Sequence, residues 1–428
     1  MKPNSNENSN PVDAIKAARE LWLEATTPSE LEQVETLYRQ ALSSKHPSSD
    51  DDDDSTDEPA KKKKRNLSKL SKSDYLQASE KLALLLCQSG RSKKAKKPLA
   101  SLGFKCRLAE NVLNYSTEIK DELAETGRND SIPCQIIDDF LSKTELQRLI
   151  SVFSSPSANY WTSHNYQVEP PSPYFSYVIP MSDIKSDKPI NSNDFGFLGN
   201  LIKKIQSCPM LTNKFPTLSN ETRFVEMWAH NRPHASGHQM HFDSDDEGRG
   251  GVRNPIISTI LYITTDDSGD STTTCTGGPS LVTNQKLGDV HLATRGWMAH
   301  PKSKRLVAFD GRYLHGVVPG KGVDATKNGR RVTLMFAFWK DITIRRGIGP
   351  GSARPFPLKK NHNAMPKWAI ELTKTPEGLE EGDPNQNSYQ TCKETIPVEF
   401  EVVYETLDGR PWKKSDGMPS YNEVFQGF

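Results

Sequence analysis

The chain predicts an α+β protein: a β-barrel or sandwich core with flanking helices, preceded by a small helical module. Three observations carry this. Apolar residues recur at helical spacing on both sides of a charge run near residue 55, short strands rich in Ile, Val, Thr and aromatics accumulate after about residue 130, and Gly and Pro punctuate them. At 428 residues there is room for two or three folded units. Counting Gly and leaving out Tyr, apolar residues make up about 37% of the chain, below the roughly 45–50% of an average globular sequence. Part of the length is therefore expected to be unpacked.

The elements follow in order. Thr27 caps a helix with Pro28 in its first turn, and Leu31, Val34, Leu37, Tyr38 and Leu42 share one face. Asp50 to Asp54, Asp57 and Glu58 are followed at once by Lys61 to Arg65, a run that repels itself and buries nothing, so 45–70 reads as a disordered linker. Its KKKKR segment also has the composition of a nuclear-import patch. After the linker Asp74 precedes Tyr75, Ala78, Leu82 and Leu85, a helix ending near Gly90. Paired amphipathic helices of this kind resemble a tetratricopeptide array, but there is no 34-residue repeat, and a small helical module over 71–129 is the simpler reading. Ser142 and Glu145 form a capping box for a helix carrying Leu146, Leu149, Ile150 and Phe153. Strands are predicted over 174–179, 223–228, 256–264, 306–310 and 332–339, and one more over 398–404 in a loop-rich, partly ordered extension, 342–428. The divisions are thus 1–44 helical segment, 45–70 linker, 71–129 helical module, 130–341 core domain and 342–428 extension, and a core freed of residues 1 to about 125 is expected to stay soluble.

Several function classes are excluded. The longest apolar run, 82–87, is far too short for the roughly 18–20 residues that cross a bilayer. The first 13 residues lack the basic start and apolar stretch of a secretory signal, which places the chain in the cytoplasm or nucleus. Six cysteines without a CxxC pair argue against a zinc knuckle or thioredoxin-type centre. A net charge of +1 provides no global field for nucleic acid or an anionic membrane.

Four of the ten histidines fall between 230 and 241. His230, His234 and His238 have i, i+4 spacing, but Pro233 and Gly237 interrupt any helix, and these three read as loop or supporting residues. His241 and Asp243 differ, because residues two apart on a strand share a face. His315, after the 306–310 strand, supplies a third ligand. Two histidines and one carboxylate leave positions open, the arrangement that suits non-haem Fe(II) and oxygen chemistry. Arg331 opens the apolar strand 332–339, where a buried cation calls for an anionic partner; a structural pairing with a nearby Asp is the alternative.

In this order of motifs the sequence resembles the Fe(II)- and 2-oxoglutarate-dependent dioxygenases, and among them the prolyl 4-hydroxylase-like group. The resemblance covers 130–341 and rests on His241-x-Asp243, the strand Ser258 to Thr264, Gly277-Gly278 followed by Ser280-Leu-Val, His315-Gly-Val, and Gly329-Arg-Arg331. It implies a double-stranded β-helix (jelly-roll or cupin-like) with Fe(II) held by His241, Asp243 and His315. It also implies that Arg331 binds the distal carboxylate of the cosubstrate 2-oxoglutarate with help from the Tyr262 hydroxyl, that O2 is consumed, and that ascorbate is an optional further cofactor. The insertion 321–327 leaves open whether Arg330 or Arg331 is the carboxylate partner, since only one can face the pocket. The insertion 266–276 reads as a loop or a lid.

The implied activity is hydroxylation of a C–H bond on a protein side chain, prolyl as first choice. Nucleic-acid demethylation and small-molecule oxidation are the enzymatic alternatives, the first disfavoured because basic clusters lie away from the HxD segment. A non-catalytic β-helix binding module is the alternative of another class. The expected partner is a protein substrate, with no membrane.

Overall fold

The computed structural model describes residues 10–25, 27–43, 70–116, 133–155, 157–166, 174–184, 195–245, 252–263, 277–289, 292–321, 330–345, 352–358, 365–374, 405–406 and 423–427. In chain order the elements are α1 (Pro11–Glu24), α2 (Pro28–Ser43), α3 (Lys72–Gln88), α4 (Ser92–Ser101), β1 (Cys106–Arg107), α5 (Glu110–Leu113), β2 (Cys134–Ile137), α6 (Lys143–Phe153), α7 (Asn159–Ser163), β3 (Tyr177–Pro180), α8 (Met181–Ile184), α9 (Gly196–Gln206), α10 (Pro209–Lys214), α11 (Thr217–Glu221), β4 (Phe224–Pro233), β5 (His238–His241), β6 (Ile257–Tyr262), β7 (Ser280–Lys286), β8 (Gly296–Ala299), β9 (Leu306–Asp310), β10 (Tyr313–Val317), β11 (Arg330–Trp339), β12 (Arg354–Pro355), α12 (Lys367–Thr373), β13 (Glu405–Thr406) and β14 (Val424–Phe425).

Local chemistry sets several boundaries. Both bonds of the capping box form at α6: Glu145 N–H donates to Ser142 Oγ, and Ser142 N–H to Glu145 Oε2. Thr27 and Glu30 exchange the same pair at α2, each cap stabilising its helix by about 1 kcal/mol. At α3 the cap is Ser71 rather than Asp74. Ser71 Oγ accepts from Asp74 N–H, and the acid sits in the first turn, where it favours the helix dipole.

Seven strands form one sheet in the order β12-β3-β4-β11-β6-β9-β2, antiparallel except between β12 and β3, and four form a second in the order β5-β10-β7-β8. β4 and β11 run side by side over ten residue pairs, from Arg330 opposite Pro233 to Trp339 opposite Phe224. Alternation then sorts their side chains. Val225, Met227, Ala229, Leu334, Phe336 and Phe338 bury one face against α6, α9 and α12. On the other face Tyr262, Val307 and Phe309 pack against Val282, Trp297 and Ala299 of the smaller sheet.

The outer face of the smaller sheet, Met240, Leu281, Met298 and Leu314, shares an apolar cluster with Ala78, Leu82, Leu85, Leu99 and other residues of α1–α4. Gln88 Nε2 donates to the carbonyls of Pro319 and Gly320, and Tyr115 Oη accepts from Lys321 N–H. These helices therefore cover the core rather than standing beside it. Removing residues 1–125, the cut expected to leave a soluble core, would bare Leu281, Met298 and Leu314, each at most 6% exposed. The C-terminal extension is also partly built in. Trp368, Ala369 and Leu372 of α12 lie in the larger core, and β14 pairs with β1 while Gln426 Oε1 accepts from Met240 N–H.

Four readings fall outside the described residues: most of the charged linker with its KKKKR segment, the insertion 266–276, the insertion 321–327 beyond its first residue, and the strand over 398–404. Cys87, Cys106, Cys134 and Cys208 are buried and form no disulfide among the described residues. No described helix is long and apolar enough to cross a membrane.

Candidate active site

His241, Asp243 and His315 come together, with one ligand atom from each lying within 4.8 Å of the others. The strand argument for His241 and Asp243 needs correction, since β5 ends at His241. Asp243 is placed instead by side chains. Asn254 Nδ2 donates to its carbonyl oxygen, and Ser258 Oγ on β6 donates to Oδ2 at 2.6 Å. His315 lies opposite His241 across the β5–β10 pairing.

The histidines are oriented for a cation. His241 Nδ1–H donates to Gln239 O at 2.8 Å and His315 Nδ1–H to Tyr313 O at 3.0 Å, which fixes both tautomers and leaves each Nε2 lone pair free. Those Nε2 atoms stand 3.6 and 3.7 Å from the Asp243 carboxylate oxygens. Two atoms each bonded to one ion at about 2.1 Å can lie no more than about 4.2 Å apart, so either histidine can share a divalent cation with Asp243. Burial, with His241 beside it, pushes the His315 imidazole down to about 4, keeping it in the neutral form that ligates. Among the described residues this is the one such cluster.

The triad opens on a cavity of about 340 Å³, within the range of small-ligand sites. Alternate residues of β4 and β11 line it: Glu226, Trp228, His230 and Arg232 from one, Arg331, Thr333, Met335 and Trp339 from the other. One end is basic. Arg331 lies opposite Arg232, and His230 and His238 stand next to them. Burial and the neighbouring cations push His230 down to about 3 and His238 well below the ordinary histidine value, so both present neutral rings. The other end is acidic and aromatic, with Glu226, Trp228, Tyr174 and Trp339. Burial pushes the Glu226 carboxyl up to about 7, opposed by the hydrogen bond from Ser176 and reinforced by Asp243 and Asp245.

Arg331 is the arginine on the cavity wall. It is 4% exposed, and its Nη1 donates to Gly278 O. Arg330 points the other way and bonds Asn231 through the side chain and the carbonyl oxygen. The glycine pair makes room for this. A Cβ on Gly277, whose φ is +112°, would press on the Arg331 stem, and one on Gly278 would strike Val318 O at 1.8 Å. Tyr262 is not on the cavity wall. It is fully buried, and its hydroxyl bonds Ser280 Oγ, which does line the cavity, so any help to a ligand passes through Ser280.

Of the other histidines, His230 and His238 lie on strands and line the cavity rather than a loop, while His234 Nδ1 accepts from Gly277 N–H in a turn. Sequence reasoning missed Glu226, Trp228 and Ser258. Glu226 and Trp228 alternate onto one face of the predicted strand 223–228, but nothing local shows that this face is enclosed, and His230 lies beyond that predicted strand.

No protein-family model matches the chain, and no curated protein matches it. Solved structures similar to it include a prolyl-4-hydroxylase from Pseudomonas putida, at 14% identity over 54% of this chain and 99% of that one, with a TM-score of 0.28. A 2OG-Fe(II) oxygenase family oxidoreductase from Burkholderia pseudomallei is similar at 12% identity over 55% and 97%, TM-score 0.27. HygX from Streptomyces hygroscopicus, with nickel and 2-oxoglutarate bound, is similar at 11% identity over 52% and 92%, TM-score 0.25. At these values they assign no family to this chain.

Proposed function

We propose that this protein is an Fe(II)- and 2-oxoglutarate-dependent oxygenase that hydroxylates a C–H bond, with its two sheets as the halves of a double-stranded β-helix. The observation that carries the reading is the meeting of His241 Nε2, His315 Nε2 and the Asp243 carboxylate on the wall of a cavity that also holds Arg331. Two nitrogens and one carboxylate on one face leave coordination positions open, as oxygen activation requires.

Iron bound there supplies oxidation with cosubstrate: R–H, O2 and 2-oxoglutarate give R–OH, succinate and CO2. The chain's own residues do the positioning. The carbonyls of Gln239 and Tyr313 hold the two imidazoles in their ligating tautomers, and Ser258 holds Asp243. Arg331 takes the distal carboxylate of 2-oxoglutarate by a charge-assisted fork, and the sheets and helices around the cavity keep bulk water from the oxidant. A protein side chain is the favoured substrate. The prolyl choice comes from the sequence resemblance alone.

The test is succinate formation from 2-oxoglutarate by the full-length protein, measured with and without Fe(II). Iron-dependent succinate that disappears in Asp243→Ala, together with loss of iron binding in that variant, is the expected result. Iron-independent turnover, or full activity in Asp243→Ala, refutes the assignment.

A further inference from the structure

Glu226 is a carboxylate that the oxygenase reading leaves without a task. It is 6% exposed on the cavity wall, and no described Lys, Arg or His forms an ion pair with it. Burying such a group is costly unless something compensates. Its side-chain bond to Ser176 is informative. Ser176 Oγ accepts from Ala353 N–H at 2.6 Å and donates its single hydrogen to Glu226 Oε1. The serine thus holds the carboxylate as an acceptor in a fixed orientation. Ala353 itself has φ +53°, a left-handed conformation that an ordinary L-residue adopts only at a cost. Strain spent on anchoring a serine to a buried acid is the pattern of a built site.

The surroundings suit a cation. Trp228, Trp339 and Tyr174 line the same end, with Tyr174 edge-on to Trp228 at 6.4 Å, and aromatic faces attract ammonium and guanidinium groups. The other charges at this end are engaged. Asp243 belongs to the metal triad, Asp245 is held by Arg253 at 2.8 Å and by Thr343 N–H, and Arg345 donates to Ser352 Oγ. The dicarboxylate cosubstrate does not belong here. Glu226 pairs with Ala337, six residues along β11 from Arg331, roughly 20 Å at the strand rise.

We propose that Glu226 receives an alkylammonium or guanidinium group of the substrate, so that the oxidised C–H bond belongs to a basic chain. This rests on the oxygenase reading for the reaction, though not for the binding. A prolyl ring within a peptide has neither charge nor N–H to offer and would leave Glu226 uncompensated.

Trp228 and Trp339 serve as reporters. The full-length protein, loaded with Mn(II) and 2-oxoglutarate under argon, is titrated by tryptophan fluorescence with acetyl-Gly-Lys-Gly-amide, with its Arg, norleucine and Pro counterparts, and with n-butylammonium. At least one of the cationic probes should bind about tenfold or more tighter than the norleucine and Pro peptides, the scale of a desolvated charge pair. That preference should vanish in Glu226→Gln. A peptide-borne cation binding better than n-butylammonium identifies a protein side chain, and the reverse a small amine. Equal binding of norleucine and all cationic probes by the wild type overturns the proposal, as does a cation preference that survives in Glu226→Gln. The wild-type comparison decides alone if that variant does not fold. Repeating it without metal or 2-oxoglutarate separates the two readings: failure of 2-oxoglutarate to bind sinks the oxygenase assignment while the amine preference can still be read.

Discussion

The two ends of the cavity are made from the same two strands and differ only in which rows of β4 and β11 they use. At one end Arg232 faces Arg331 across the pair, and at the other Glu226 faces Ala337. Both ends bury their charged groups, yet the consequences are opposite. Enclosure favours the neutral form of every ionisable group it contains; it pushes His230 down to about 3 and Glu226 up to about 7. A single antiparallel ladder thus places two arginines at one end and a carboxylate at the other, with two side-chain rows between them on that face. What distinguishes them is the residue type at alternate positions rather than any difference in backbone.

The largest effect is expected at the basic end. Arg331→Ala should weaken 2-oxoglutarate binding by roughly 100-fold or more, as removal of one half of a buried pair does. Arg330→Ala should leave it nearly unchanged, because that side chain is turned to Asn231. Anaerobic titration of the cosubstrate checks both, and a loss confined to Arg330→Ala would show the strand register to be wrong by one residue. Lys at 331 should recover part of the loss, since a point charge cannot form the planar fork.

At the acidic end the expected effect is on stability. The folded Glu226 carboxyl titrates at about 7 against an ordinary value of 4.5. Between those values the folded chain keeps a proton that the unfolded chain has released, so rising pH destabilises the wild type through that window. Glu226→Gln removes this penalty, which amounts to as much as about 3 kcal/mol above pH 7. Thermal melts of the metal-free proteins from pH 4 to 8 should diverge in favour of the variant as pH rises. His230 has the reverse sign: its depressed value costs stability as pH falls below 6.5. His230→Asn should flatten the acid side of the same curve. Parallel curves for wild type and both variants would break the contrast between the two ends.

The smallest effect lies between the ends. Ser258→Ala removes the donor that orients Asp243 and should weaken metal binding about tenfold, the lower end of what supporting partners contribute. Calorimetric titration with Mn(II) measures it. An unchanged affinity would mean that Asn254 and the chain turn suffice to place the carboxylate.

Much of the site was legible because its chemistry is unusual for its location. A histidine and an aspartate two apart, a histidine after an apolar strand and an arginine opening another stand out against their neighbours, and all four lie on the cavity or in its metal triad. The capping box of α6 was equally plain, since its bonds span three residues. Glu226 was not legible, because one acid within Phe-Val-Glu-Met-Trp reads as a solvent-facing position until a second sheet encloses it. The order of β5, β10, β7 and β8 was hidden for a related reason: these strands are four to seven residues long and find their partners far along the chain.

The sequence by itself determined the His241-x-Asp243 pair, the helix caps and the alternation that gives each strand a buried and a lined face, because these depend on neighbours within a few positions. Only the tertiary structure decided which arginine faces the cavity, that Asp243 is placed by Ser258 and Asn254 rather than by a strand, and that Tyr262 spends its hydroxyl on Ser280. It also decided that α1–α4 and the C-terminal β14 close over the smaller sheet. Those outcomes turn on register and on which apolar face finds a cover. Both are settled by contacts between segments hundreds of residues apart, whose closure no local pattern encodes.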